Sequence, residues 1–467
     1  MKNHAYRFRI YALIALLLPA GLYAQQQGSP LSLSLKQAQD YAIINNVNAK
    51  NSALDVKLAK KKIWETTAIG LPQISAQANY QHLFKVPELS LGGSTFLDTK
   101  NLEPGNVITA NDVTQGNLFL GYNPSDPIAL GVKDNTTINL TVSQLVFSGE
   151  YLVGLQASKV FSKISEQSQK KTELDLKESV SNTYSLVLLL GQNKTILQQS
   201  LDNLKKTLAD MQEMNKQGFI ENTDVDQIEL TTLNLENGVN SINRQESASK
   251  DLLKYQLGLS FDIEIVLTDS LESTTVIPNL ETVLSSKFNV ENNLDFQILG
   301  IQEKLGKLNL KREESTFLPS LAAVYQHTAK VNKPAFDFTP ADVFMLTLNV
   351  PIFSSGQRLV KVQERKLELE KITNTKNDVS NALQLQFINI RNEMASAYEK
   401  LQNEKKNIEL TNRIYEKTLI KYKEGLSSSL DLTNAQNQYL TAQSNYFTAM
   451  YSLITAKNKL DKLTNNL

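Results

Sequence analysis

One unit written twice accounts for nearly the whole chain, and that duplication restricts the possible folds more than any single motif. LSLKQAQDYAIINNV (33–47) aligns without gaps on LETVLSSKFNVENNL (280–294), so that Asn45-Asn46 falls on Asn292-Asn293. The same offset carries Leu71-Pro72 onto Leu318-Pro319, and LTVSQLVFSG (140–149) resembles LTLNVPIFSSG (346–356). KQGFIENTDVDQ (216–227) and KEGLSSSLDLTN (423–434) share a frame with glycine six positions before aspartate: Gly218 with Asp224, Gly425 with Asp431. Each copy reads helix, Leu-Pro, strand, loop, strand, Phe-Ser-(Ser)-Gly, long helix, turn, helix. The first copy is assigned to 25–277 and the second to 278–467.

Strands are expected at about 73–84, 136–147, 319–330 and 342–353, each with period-two alternation. Ile74, Ala76, Ala78 and Tyr80 take one face of the first, while Ser75, Gln77, Asn79 and Gln81 take the other. Ile138, Leu140 and Val142 behave likewise, as do Leu321, Ala323 and Tyr325, and Phe344, Leu346, Leu348 and Val350. About ten residues, apolar on one side and small or polar on the other, suit a membrane barrel wall around a wet interior. A soluble hairpin alternates in the same way. The first pair is joined by a long segment (86–135) rich in Gly, Pro, Asn and Asp, the second by VNKPAFDFTP (331–340). Loops of such unequal length at one end of a sheet fit an extracellular surface, and the long one is where variation and a receptor role would sit.

Helical patterning is the strongest physical signal. No proline occurs between Gly149 and Pro278, so residues 150–217 can form one helix of about 100 Å. Its counterpart spans roughly 357–424. Leu383, Phe387, Ile390, Met394, Ala397, Leu401, Ile408, Tyr415 and Tyr422 follow alternating steps of three and four, the 3.5-residue repeat of left-handed coiling. In the last helix Ala435, Ala442, Ala449 and Ala456 recur every seven residues, interleaved with Tyr439, Tyr446, Leu453 and Leu460. Leu440, Phe447 and Ile454 add a second stripe. Two adjacent stripes let a helix pack in a wall, with neighbours on both sides.

The N-terminal sequence MKNHAYRFRIYALIALLLPAGLYA (1–24) reads as a secretory leader: Lys2, Arg7 and Arg9 precede a short apolar run that ends at a small residue. Lys plus Arg and Asp plus Glu both number 48, which gives no basic excess for nucleic acid. Without cysteine there is no disulfide framework, thiolate site or lipid-bearing residue. Four strands cannot close a membrane barrel, since the smallest use eight, and open edges are not tolerated in lipid. If these strands insert, several chains share one barrel. Pro72 and Pro319 stand at strand entries, while Phe147, Gly149, Pro351, Phe353 and Gly356 mark joints between strand and long helix.

In that order of parts, with Leu-Pro strand entries, PIFSSG and paired Gly-x5-Asp turns, the chain resembles the TolC family of outer-membrane efflux ducts over nearly all of its mature length. The resemblance implies mainly helical architecture with membrane strands: a homotrimer sharing a twelve-stranded barrel in outer-membrane lipid, continued by a periplasmic helical tunnel. It implies passive export of small molecules or proteins in a tripartite efflux or type I secretion system. The implied partners are a periplasmic adaptor (membrane fusion protein) and an inner-membrane pump of the RND or ABC type. It implies no enzyme activity and no cofactor.

By the same resemblance the two turns are hairpin tips at the periplasmic end, with Gly218, Thr223, Gly425 and Ser429 shaping them and meeting the adaptor. Gly218 and Gly425 occupy C-cap positions, and oxygens of Thr223, Ser429 and the aspartates stand where returning helices begin. Asp224 and Asp431 therefore read either as helix-start residues or as part of a gate. The family's gate pattern falls on Tyr422, Asp431 and Asp224. Its tie-forming arginine falls on Ser427 and its second ring carboxylate on Asn434, so closure is expected to lean on packing, with Tyr422 reaching Asp224 or Asp431.

No nucleophile motif, phosphate loop or metal-ligand spacing is present. His82 and His327 sit singly at strand ends and read as interfacial or loop residues, not metal ligands. Trp64 reads as a packing anchor. KLAKKKIW (57–64) reads as a solvated charge run or as a contact for lipid phosphates. A periplasmic coiled-coil adaptor or scaffold is the competing reading, against which stand the two hairpins and four alternating strands.

Overall fold

The computed structural model describes residues 30–89, 93–98, 109, 119–123, 128–129, 131–271, 280–334 and 337–467. The leader (1–24), most of the long loop (86–135) and the junction of the repeats at 277 and 278 lie outside the described residues. Two compact units result, one of residues 1–52, 170–293 and 382–467, the other of 53–169 and 294–381. Each draws on both sequence repeats. Besides four short strands between Glu88 and Ala129, the strands are β1 (Leu31–Leu33), β2 (Gln73–His82), β3 (Asp134–Phe147), β4 (Ile265–Leu267), β5 (Ser320–Lys330) and β6 (Asp342–Asn349). The helices are α1 (Leu35–Asn45), α2 (Val47–Ile69), α3 (Gly149–Lys216), α4 (Asn222–Leu257), α5 (Leu280–Ser285), α6 (Leu294–Ser315), α7 (Gln357–Lys423) and α8 (Ser429–Leu463). None of the described helices is long and apolar enough to cross a membrane.

The unit made of 53–169 and 294–381 holds the sheet, in the order β6-β5-β3-β2 with every neighbour antiparallel. Its register aligns the apolar faces of all four strands. Ile74 stands opposite Val142, which stands opposite Tyr325, which stands opposite Phe344. Ala76, Leu140, His327 and Asp342 form the next row. The other face carries Ser75, Thr141 and Gln326, and there Thr328 donates to Asn139 at 2.8 Å. The apolar face is exposed, with Ile74, Phe344 and Leu346 showing 71%, 70% and 57% of their surface, and on the outer strands β2 and β6 the other face is exposed as well. β2 and β6 are the outer strands and each has one unpaired edge among the described residues.

β6 ends at Asn349, short of the expected 353, because Pro351 has no N–H to donate to a ladder. Ile352 and Phe353 are exposed there, and Gly356 turns the chain into α7 with φ +81°. Gly149 opens α3 against the end of α6, where a Cβ would sit 2.9 Å from Leu318 and 3.1 Å from the Ser315 side chain.

The other unit is helical. One core joins α1, α3 and α4 with the parallel pair β1–β4, through Leu33, Ala38, Ala42, Val180, Tyr184, Leu253 and Ile265. The fully buried Tyr184 donates to the Leu33 carbonyl at 3.0 Å and lies 3.0 Å from Asp269, whose carboxylate also accepts Leu35 N–H at 2.6 Å. Burial drives the Tyr184 phenol up to about 12, so it remains a hydrogen-bond donor. A second core combines Leu201, Leu204 and Met211 of α3, Ile228 and Leu235 of α4, Tyr415 of α7 and Leu432 of α8. The heptad alanines Ala435, Ala442, Ala449 and Ala456 are all buried, as are Leu383, Phe387, Ile390, Met394, Ala397 and Leu401. Tyr415 and Tyr439 stack in parallel with ring centres 5.8 Å apart.

Candidate functional site

The turns between α3 and α4 and between α7 and α8 lie in the helical unit and share one backbone design. Gly218 and Gly425 have φ of +78° and +71°, the left-handed region that glycine enters without a Cβ penalty. Phe219 N–H reaches back to Met214 O at 3.0 Å, and Gly218 N–H to Asn215 O at 2.9 Å. Leu426 repeats this to Lys421 at 2.8 Å and Gly425 to Tyr422 at 3.0 Å. Both helices thus end in the same double C-cap, which satisfies carbonyls that a bare terminus leaves open. Phe219 and Leu426, in matching positions, are exposed.

Side chains distinguish the turns. Ser428, in extended backbone, accepts from Asp431 N–H at 3.1 Å, and the Asp431 carboxylate accepts from Ser428 N–H at 3.1 Å and from its hydroxyl at 2.7 Å. Ser427 adds a hydroxyl at 3.3 Å. This reciprocal capping box gives Asp431 the helix-start role and, chiefly through the Ser428 hydroxyl, holds its pKa below the usual carboxylate value. The capping serine is Ser428, where Ser429 was the expected candidate. Thr223 does not cap α4 either: its hydroxyl bonds the Glu221 carboxylate at 3.3 Å, and Glu221 itself makes no side-chain cap.

The link between the turns is a hydrogen bond from the Ser429 hydroxyl to Asp224. Ser429 is buried at the first position of α8 and Asp224 is half-buried, so the contact is partly sheltered from water. Tyr422 lies beside it. Burial first, then the Asp224 charge, raises the Tyr422 pKa, yet no hydrogen bond joins Tyr422 to Asp224 or Asp431 among the described residues. Asn434 is exposed and lines a groove of about 500 Å³ with Asn407, Thr411, Asn437 and Gln438. The Ser-x-x-Asp spacing of 428–431 was the available sequence signal for the cap. No comparable signal pointed to Ser429 as the Asp224 partner, because that pair is 205 residues apart. Pro72, Phe147, Gly149, Pro319, Pro351, Phe353 and Gly356 belong to the unit that holds the sheet and mark its strand ends.

Residues 290–466 match the model of the outer membrane efflux protein family. Over 92–93% of the chain the fold is similar to that of solved outer-membrane proteins, among them the channel OprN. VceC of Vibrio cholerae is 13% identical and superimposes with a TM-score of 0.67 over 92% of this chain and 96% of its own. The Campylobacter jejuni CmeC channel gives 16%, 0.66, 92% and 85%, and the Neisseria gonorrhoeae MtrE channel 14%, 0.64, 92% and 88%. No curated protein sequence matches the chain.

Proposed function

We propose that three copies of this chain close one twelve-stranded barrel in the outer membrane and form the exit duct of a tripartite efflux or secretion system. The sheet carries the reading. Its register gathers Ile74, Val142, Leu140, Tyr325, Phe344 and Leu346 on one exposed face and Ser75, Thr141, Asn139, Gln326 and Thr347 on the other, with an open edge at each side. Lipid on the first face, water on the second and a further copy at each edge satisfy all three conditions. The duct performs no chemistry. A periplasmic adaptor and an inner-membrane pump of the RND or ABC type supply selection and energy. The paired turns narrow the duct, with the Ser429–Asp224 bond and the packing of Tyr422 holding each chain's two hairpins together and Asp431 lending negative charge near the axis.

Conductance across a planar bilayer tests this reading. Asp224→Ala and Ser429→Ala remove the same bond and are expected to raise single-channel conductance several-fold over the parent. Asp431→Ala is expected to weaken cation selectivity and fray the first turn of α8. An Asp431→Ala channel with the parent's conductance and selectivity would refute an acidic ring, and parent-like conductance in Asp224→Ala would refute the tie.

A further inference from the structure

The basic run at 57–64 is not accounted for by the duct or its gate. It lies on α2, in the same unit as the sheet. At this level α2 buries Val56 and Ala59. With 3.6 residues per turn, Lys57, Lys61 and Trp64 fall together on the opposite side, and all three are exposed. The lysines of the run are not equivalent. Lys60 is 3.6 Å from Glu166 and Lys62 is 2.7 Å from Glu65, whereas Lys57 and Lys61 have no ion-pair partner among the described residues. Two uncompensated cations one turn apart thus share a stripe with the only tryptophan of the chain, which shows 65% of its surface.

Position along the chain gives the stripe a direction. α2 ends at Ile69 and β2 begins at Gln73. Trp64 therefore stands about 8 Å along the helix axis from the end of α2, and Lys61 and Lys57 follow about one and two turns further from the strand. An indole has an apolar body with one polar N–H and settles where hydrocarbon meets water. A lysine one turn below it reaches up along its own stem toward that level.

We propose that Trp64, Lys61 and Lys57 bind anionic phospholipid headgroups of the leaflet on the helical side of the barrel. The proposal rests on the reading of the sheet as a membrane wall. Trp64 sits among the headgroups, and the two lysines supply cations to the phosphates, each adding to an attraction that salt screens.

The single tryptophan makes the test direct. The full-length protein is reconstituted into phosphatidylethanolamine vesicles carrying equal mole fractions of acyl-brominated phosphatidylglycerol or acyl-brominated phosphatidylethanolamine, and Trp64 quenching is compared. Brominated phosphatidylglycerol is expected to show an enrichment around Trp64 on the order of threefold. The Lys57→Gln, Lys61→Gln double variant should abolish that preference while still being quenched, and 0.5 M salt (roughly a 4 Å Debye length) should reduce it. Equal quenching by the two lipids in the parent overturns the proposal and leaves the membrane reading intact. Blue-shifted emission with no quenching by either also overturns it, and shows that a second copy of the chain covers Trp64. Failure of the protein to float with the vesicles overturns both.

Discussion

Arginine in place of Leu346 is expected to prevent stable assembly, whereas arginine in place of the adjacent Thr347 is expected to be tolerated. The two positions are neighbours on β6 and point to opposite faces of the sheet. Leu346 stands opposite Ala323 on the apolar face, and Thr347 opposite Ala322 on the face with the hydroxyls and carboxamides. Both lie near the middle of the strand. A guanidinium facing lipid near the bilayer midplane costs about 2–4 kcal/mol per chain, and a shared barrel incurs it once in every copy. On the wet face the same group remains hydrated and alters ion selectivity instead of stability. The measurement is the yield of assembled protein in the outer membrane together with its urea midpoint. Normal assembly of Leu346→Arg with failure of Thr347→Arg would mean that the two faces are assigned the wrong way round.

The second large effect is expected at Gly258→Ala. Gly258 follows α4 with φ +71°, and its N–H and that of Leu259 close the helix on Tyr255 and Lys254 at 3.0 and 2.9 Å. A Cβ there would stand 2.6 Å from the Asn45 carbonyl oxygen and 2.9 Å from its carbon, so the obstacle is backbone at the link between α1 and α2. That link is already fixed, because Asn46 donates its side-chain amide to Gln256 O at 2.8 Å. Left-handed strain alone costs about 1–2 kcal/mol, and displacement of a packed backbone segment brings the total to about 3 kcal/mol or more. Gly218→Ala and Gly425→Ala provide the comparison. Their φ values are similar, but nothing lies within 4 Å of the added Cβ, so only the strain is felt. Thermal unfolding of the three variants separates the two terms. Equal losses at 218, 425 and 258 would show that the approach of Gly258 to Asn45 contributes nothing.

Local chemistry and periodicity made much of this molecule readable in advance. The three-and-four spacing of Leu383, Phe387, Ile390 and Met394 needs only the pitch of a helix, and those side chains are buried. The paired Gly-x5-Asp frames describe the double C-caps because glycine alone enters the left-handed region freely. What stayed hidden depends on contacts between distant parts of the chain. Gln443 is fully buried and donates to Asn193 at 3.0 Å, although a glutamine beside a heptad alanine reads as surface. Ser429 looked like a cap and is instead the partner of Asp224. Tyr422 lies close enough to feel the Asp224 charge but does not bond it, a distinction of rotamer and backbone position that no spacing encodes. The need for glycine at 258 arises from Asn45, more than two hundred residues earlier.

The reading of the sheet as one third of a membrane barrel depends on the two open edges, β2 and β6, being closed by other copies of the same chain. Native mass spectrometry of the detergent-purified protein tests that most directly. The account predicts a complex of three chains that persists on dilution. A single chain at every concentration would contradict it.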